Sequence, residues 1–190
     1  KKFIISMVFA VSSIMLSAQN FTPMMQQGPS EDLYSALFKD VNYAGDNLEA
    51  HNLDIYLPKN SNGKPKMVIL IYGSAWFMNN MKGAPMTSIG IPLLEAGFAV
   101  ATINHRASTE AIWPAQIQDV KAAIRFVRAK ADEYGYDNSF IGITGFSSGG
   151  HLSAYAAVTN DVKEVSAGDV TVDIEGNLGA YTTTSSSVDA

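Results

Sequence analysis

The sequence predicts an α/β fold: a mostly parallel central sheet covered by helices in three layers. Three observations predict it. Residues 67–72, 98–103 and 139–144 are nearly unbroken apolar runs, the pattern of strands buried on both faces. Helical stretches separate these runs, as parallel neighbours require. The third run leads into Gly145-Phe146-Ser147-Ser148-Gly149, a G-x-S-x-G pattern that carries meaning when a strand precedes it and a helix follows.

The chain has 190 residues, enough for one domain with a sizeable core. It is 47% hydrophobic and 16% charged, which excludes a disordered chain. Thirteen Lys and Arg stand against eighteen Asp and Glu, a net charge of −5 with no basic stripe, so nucleic acid is not an expected partner. There are no cysteines, which excludes disulfides, thiolate metal sites and a cysteine nucleophile.

In chain order, Lys1-Lys2, an apolar run over 3–16 and Ser17-Ala18 form the basic, apolar and small-residue zones of a signal peptide. The run is short for a bilayer span, and no cysteine follows it for lipid attachment. The expectation is a signal peptide over 1–18, secretion or a periplasmic location, and no stable membrane anchor. The opening on Lys1 rather than Met implies a missing first residue. Residues 19–32, with Pro23, Gly28 and Pro29, read as a flexible leader, and 33–190 as the folded domain. Residues 38–43 alternate weakly, as an edge strand does, and Ala44-Gly45-Asp46-Asn47 reads as a turn. Leu53, Ile55 and Leu57 alternate with Asp54 and Tyr56 before Pro58, a strand with one buried face. These two strands form an antiparallel opening. A helix is expected over 87–96, closed by Gly97. A second, over 115–134, has Pro114 at its start, Gly135 at its end and an apolar stripe at Ile117, Val120, Ile124, Val127 and Ala131. Residues 151–158 read as the helix after the third apolar run. Residues 160–190 are polar and rich in Gly, Ser and Thr; Val170, Val172 and Ile174 suggest one short strand there.

In a nucleophile elbow, Ser147 would stand at a tight apex whose flanking glycines remove obstructing Cβ atoms. The helix N-terminus beyond it favours an oxyanion. Tyr72-Gly73-Ser74-Ala75-Trp76 follows a buried strand, where small residues let backbone N–H groups approach a substrate. Ser74, Ala75 and Ser148 are the candidate oxyanion donors, through their amides. A plain Gly/Ser-rich turn is the bland alternative for each motif.

A serine nucleophile needs a base. This architecture takes it from a histidine after an acid, both downstream of the serine. His51 and His105 precede Ser147, and His151 is one helical turn beyond it, so none suits. No metal-ligand cluster is apparent and no cofactor is implied. The 190 residues thus lack an evident triad acid and histidine. The expectation is a chain cut short before both; a non-catalytic relative is the alternative.

Together the motifs resemble the α/β-hydrolase esterases and lipases with a hormone-sensitive-lipase-like oxyanion loop, nearest the bacterial acetylxylan and feruloyl esterase branch. The resemblance covers about residues 50–190. It rests on Leu53-Asp54-Ile55-Tyr56-Leu57-Pro58, on Ile71 to Trp76, on Ile103-Asn104-His105-Arg106, on Trp113 to Ala123, and on Gly145-Phe146-Ser147-Ser148-Gly149-Gly150-His151-Leu152. It implies Ser147 as nucleophile, the amides of Ser74, Ala75 and Ser148 as oxyanion donors, and a structural role for Asp119. It implies an acid and a histidine beyond Ala190, and Val188 to Ala190 as the start of a sixth strand. Tyr72 replaces the family's usual histidine and Ser74 a glycine, whose added Cβ is expected to narrow the oxyanion loop. The expected activity is a secreted serine hydrolase cleaving carboxylic esters, on a small molecule or as acetyl or feruloyl groups on polysaccharide. A peptidase or amidase of the same fold, and a non-catalytic fragment or binding module, remain alternatives.

Overall fold

The computed structural model describes residues 28–190. The expected signal peptide, and the leader up to residue 27, lie outside the described residues. Strand β1 (Tyr34–Asn42) pairs antiparallel with β2 (Asn52–Pro58), the expected opening, and lies at the sheet edge. The apolar runs become β3 (Lys66–Ile71), β4 (Ala99–Ile103) and β5 (Asp137–Gly145). The five strands stand in the order β1-β2-β4-β3-β5; β3 is parallel to both β4 and β5, and β2 joins β4 antiparallel. This is a mixed α/β sheet with β3 in its interior, and the C-terminal end of β5 carries the turn of interest.

Alternation along β3 divides the core. Met67, Ile69 and Ile71 face one layer and Val68 and Leu70 the other, because successive strand side chains point to opposite faces. The larger layer receives helix α2 (Ala115–Ala129). Its stripe residues Ile117, Val120, Ile124 and Val127 are fully buried, each such burial stabilising by about 1.5–3 kcal/mol. The smaller layer, with Tyr56, Met86, Leu94 and Val100, lies under α1 (Ile91–Glu95).

Strand β2, expected to bury one face, buries both, with Asp54 and Tyr56 buried as well as Leu53 and Ile55; the structure departs from expectation in four further places. The helix expected over 87–96 is a wide turn, Met86–Gly90, followed by the short α1. Pro92 has no N–H to offer the Ser88 carbonyl, and the preceding turn takes the wider bond from Gly90 N–H to the Pro85 carbonyl, 3.2 Å. The helix expected over 115–134 breaks at Lys130 (φ −99°, ψ 8°) and resumes as α3 (Ala131–Tyr134). That break sets the Tyr134 ring edge-on to Phe38, 4.7 Å between centroids. The helix after β5, α4 (Ser148–Val158), begins three residues earlier than residue 151, directly after Ser147. The polar tail forms a hairpin of β6 (Glu164–Ala167) and β7 (Val170–Asp173), where only one strand was expected.

Beyond that hairpin the tail is pinned to α2 by charge. Lys121 and Arg125, each 1% exposed, both pair with Glu175. Lys121 Nζ also donates to the carbonyls of Thr159 and Val162 at 3.0 and 2.9 Å. Val188 to Ala190 run along β5: Asp189 N–H donates to the Ile141 carbonyl (2.8 Å), and Ile143 N–H to that of Ala190 (2.7 Å).

Candidate active site

β5 ends at Gly145 and α4 starts at Ser148, so the chain reverses within two residues. Ser147 occupies the apex with φ 53° and ψ −122°, a conformation that costs a non-glycine residue about 1–3 kcal/mol and persists only where the surroundings enforce it. The enforcement is visible in the glycines. A Cβ on Gly149 would stand 2.3 Å from the Ile71 carbonyl oxygen and 2.4 Å from that of Tyr72. A Cβ on Gly145 would stand 2.6 Å from Gly149 and from the Ile71 oxygen. The start of α4 therefore presses against the end of β3 closely enough to leave no room for side chains. Phe146 N–H donates to the Ile71 carbonyl (3.2 Å) and Gly149 N–H to that of Phe146 (2.9 Å), closing the turn. Ser147 is left exposed above it.

The segment after β3 folds over this turn. A Cβ on Gly73 would meet the Phe146 carbonyl at 2.5 Å and Ser147 Cβ at 2.7 Å, so only glycine lets the two backbones touch. Ala75 and Trp76 both take left-handed conformations, φ 50° and 63°, which turn the backbone sharply beside Ser147. Phe77 N–H donates to the Ser74 carbonyl (3.0 Å), and Ser108 N–H to that of Trp76 (2.7 Å).

The four residues singled out in the sequence do converge, with one difference. The amides of Ala75 and Ser148 have no acceptor among the described residues. That of Ser74 is engaged: it donates to Ser148 Oγ at 2.9 Å. The Ser74 side chain turns instead toward the Met78 amide, which donates to its Oγ at 3.3 Å. The free amides and the N-terminus of α4 concentrate positive potential next to Ser147, suited to an anionic oxygen.

Asp119 is fully buried on α2 and grips Arg106, whose Nε and Nη2 lie 3.0 and 2.5 Å from its Oδ1. The Arg106 amide donates to its Oδ2 at 2.8 Å. His51 stands on the far side of Asp119 (Nε2 to Oδ1, 3.5 Å) and bonds Asp46 through Nδ1 at 2.6 Å. Burial lowers the affinity of His51 for a proton, but the carboxylates of Asp119 and Asp46 outweigh it, and the net shift is upward. Tyr72, where the resemblance leads one to expect a histidine, is buried; its hydroxyl donates to the Met78 carbonyl at 2.7 Å, and its ring stacks on His105 at 4.9 Å. Burial holds the His105 pKa below the usual histidine range.

His151, exposed on α4, joins an aromatic group missed by the sequence reading. Its ring lies 5.4 Å from Trp76, 6.4 Å from Trp113 and 6.0 Å from Tyr155. Trp113 is 40% exposed and Phe146 70%. The signal lay in the Trp and Tyr residues themselves, but three segments contribute them, so no local pattern joined them.

The BD-FAE family model matches residues 53–190. A truncated form of a carbohydrate esterase from gut microbiota is 66% identical, with a TM-score of 0.84, over 86% of this chain and 57% of that one. A bifunctional GH43-CE of Bacteroides eggerthii is 56% identical with a TM-score of 0.79, over 85% of this chain and 20% of that one. Esterase LipC of Mycobacterium tuberculosis is 33% identical over 139 residues, which are 70% of this chain and 34% of the relative. The chain thus spans about a third of the length of that curated relative.

Proposed function

The chain belongs to the BD-FAE family, and on that premise we propose that it is the nucleophile-bearing part of a secreted serine hydrolase of carboxylic esters. The observation that carries the reading is the strained apex at Ser147, held against two free amides. Ser147 Oγ attacks the ester carbonyl carbon. The carbonyl oxygen becomes an oxyanion that accepts from the Ala75 and Ser148 amides. The alcohol leaves with a proton, and water then releases the acid. These amides act in the transition state, where negative charge develops, and such donors are worth about 10²–10³ in rate each. The reaction also needs a general base, a histidine oriented by an acid; among the described residues no histidine ring bonds to the Ser147 side chain.

The substrate is an acetyl or feruloyl ester on polysaccharide. The carbohydrate esterases among the structural relatives support this, as does the aromatic flank of Trp76, Trp113 and Tyr155, whose flat faces suit rings. Secretion rests on residues 1–18.

The test uses the full-length protein and its Ser147→Ala variant. The wild type is expected to hydrolyse p-nitrophenyl acetate and to release acetate or ferulate from xylan, and the variant to do neither. A variant that keeps wild-type turnover removes Ser147 from the mechanism. Faster cleavage of anilides than of matched esters transfers the assignment to an amidase or peptidase.

A further inference from the structure

Ser148 serves the site twice, and the second use rests on the ester-hydrolase reading above only for its kinetic consequence. Its amide is one of the two free donors. Its side chain accepts the Ser74 N–H at 2.9 Å, a bond between residues 74 positions apart. We propose that the Ser148 hydroxyl is a positioning residue: it latches the oxyanion loop onto the elbow and fixes the donor set as the amides of Ala75 and Ser148.

The geometry gives this bond a specific task. The backbone ladder joining β3 to the elbow ends at the bond from Phe146 N–H to the Ile71 carbonyl. Past that point, the Ser74–Ser148 bond is the hydrogen bond between loop and elbow among the described residues. The loop's other bonds tie it to itself, to the neighbouring Met78 or to residues 105 and 108, none of them in the elbow. Immediately after Ser74 come Ala75 and Trp76, two non-glycine residues at positive φ, and a conformation of that kind must be held by its surroundings. Ser148 is 4% exposed, so water competes poorly for its oxygen. Alanine at 148 would remove the acceptor and change nothing in the backbone. The Ser74 amide would then be free to turn, and the Ala75 amide with it.

The experiment compares wild type, Ser148→Ala and Ser148→Thr in the full-length protein. Hydrogen exchange is followed at the Ser74 amide, and kcat and KM are measured on p-nitrophenyl acetate. In the alanine variant, exchange at Ser74 is expected to accelerate about fivefold, the equivalent of one ordinary hydrogen bond. Its kcat is expected to fall by roughly tenfold or more with KM within about twofold, since the donors act on the transition state. Threonine keeps the hydroxyl and is expected to restore slow exchange and most of kcat. Unchanged exchange in the alanine variant overturns the latch. So does a kcat at or above wild type, which would mean that Ser148 withholds the Ser74 amide from the oxyanion. If the wild type shows no esterase activity, the ester-hydrolase reading falls and the exchange rates alone decide the latch.

Discussion

The contact between α4 and β3 can be tested by one methyl group. In Gly149→Ala the new Cβ would lie 2.3 Å from the Ile71 carbonyl oxygen, 2.4 Å from the Tyr72 oxygen and 2.7 Å from the Ile71 carbonyl carbon. All three are backbone atoms at the end of a central strand or directly after it, so none can rotate away as a side chain would. Restoring the roughly 3.5 Å at which non-bonded atoms attract requires about 1 Å of separation. That separation opens between the two parts of the site, because Ser147 precedes α4 and the Gly73–Ala75 turn follows β3. A displacement of about 1 Å in a catalytic constellation costs on the order of 10²-fold in rate, and overpacking typically costs about 1–3 kcal/mol of stability. The assay pairs thermal unfolding with kcat/KM on p-nitrophenyl acetate, in the full-length protein. The expected result is a loss of activity far larger than the loss of folded protein at the assay temperature. An alanine variant with wild-type melting and wild-type kcat/KM would refute the claim that this contact sets the elbow against the loop.

Two further outcomes concern buried charge. His51 is faced by Asp46, Asp119, Arg106 behind Asp119, and the ring of Tyr43 at 5.4 Å, and its pKa is raised in the fold. Its stabilising contribution is therefore complete below the unfolded value of about 6.5 and is lost as pH rises through the folded value. Urea unfolding of wild type should show this decline as pH rises above about 6.5, while His51→Gln should lack it; parallel pH profiles would count against the network. Glu175→Ala leaves Lys121 and Arg125, each 1% exposed, without their carboxylate. Stranding buried charge costs about 3–5 kcal/mol, roughly 6–20 °C in melting temperature for a domain of this size, and a drop below about 2 °C would show the cations to be solvated.

What was legible in the sequence was what a local pattern encodes. The three apolar runs became β3, β4 and β5 because their central residues are buried on both faces, which leaves few polar positions to disguise the strand. The elbow was legible because its glycines are required by backbone contact, at 2.6 Å for Gly145. The same glycines hid the start of α4: Gly149 and Gly150 are poor helix formers, and the helix nevertheless begins at Ser148. Lys121 and Arg125 were not legible as buried residues. Their partner Glu175 lies some fifty positions on, in a tail whose composition reads as surface. The engagement of the Ser74 amide was likewise hidden, since it depends on where one hydroxyl points across two strands.

The histidines show why residue type alone did not assign the base. Each is sorted by its partners. His51 is held between Asp46 and Asp119, an arrangement that resembles a base with its orienting acid. Both oxygens of Asp119, however, are occupied by Arg106, and the ring is 2% exposed; that geometry retains a proton rather than passing it to a substrate. His105 donates through Nδ1 to the Arg106 carbonyl at 2.9 Å and is sealed behind Tyr72, with its other nitrogen unpartnered among the described residues. His151 is exposed and one turn from Ser147, but its amide is what reaches back to the Ser147 carbonyl, at 3.1 Å, while its ring lies among Trp76, Trp113 and Tyr155. A general base must meet the serine proton at hydrogen-bond distance. None of these rings has a bond to Ser147: His151 is near in sequence and exposed beside the elbow but its ring lies in the aromatic group, His51 is buried beside its acids, and His105 is sealed behind Tyr72.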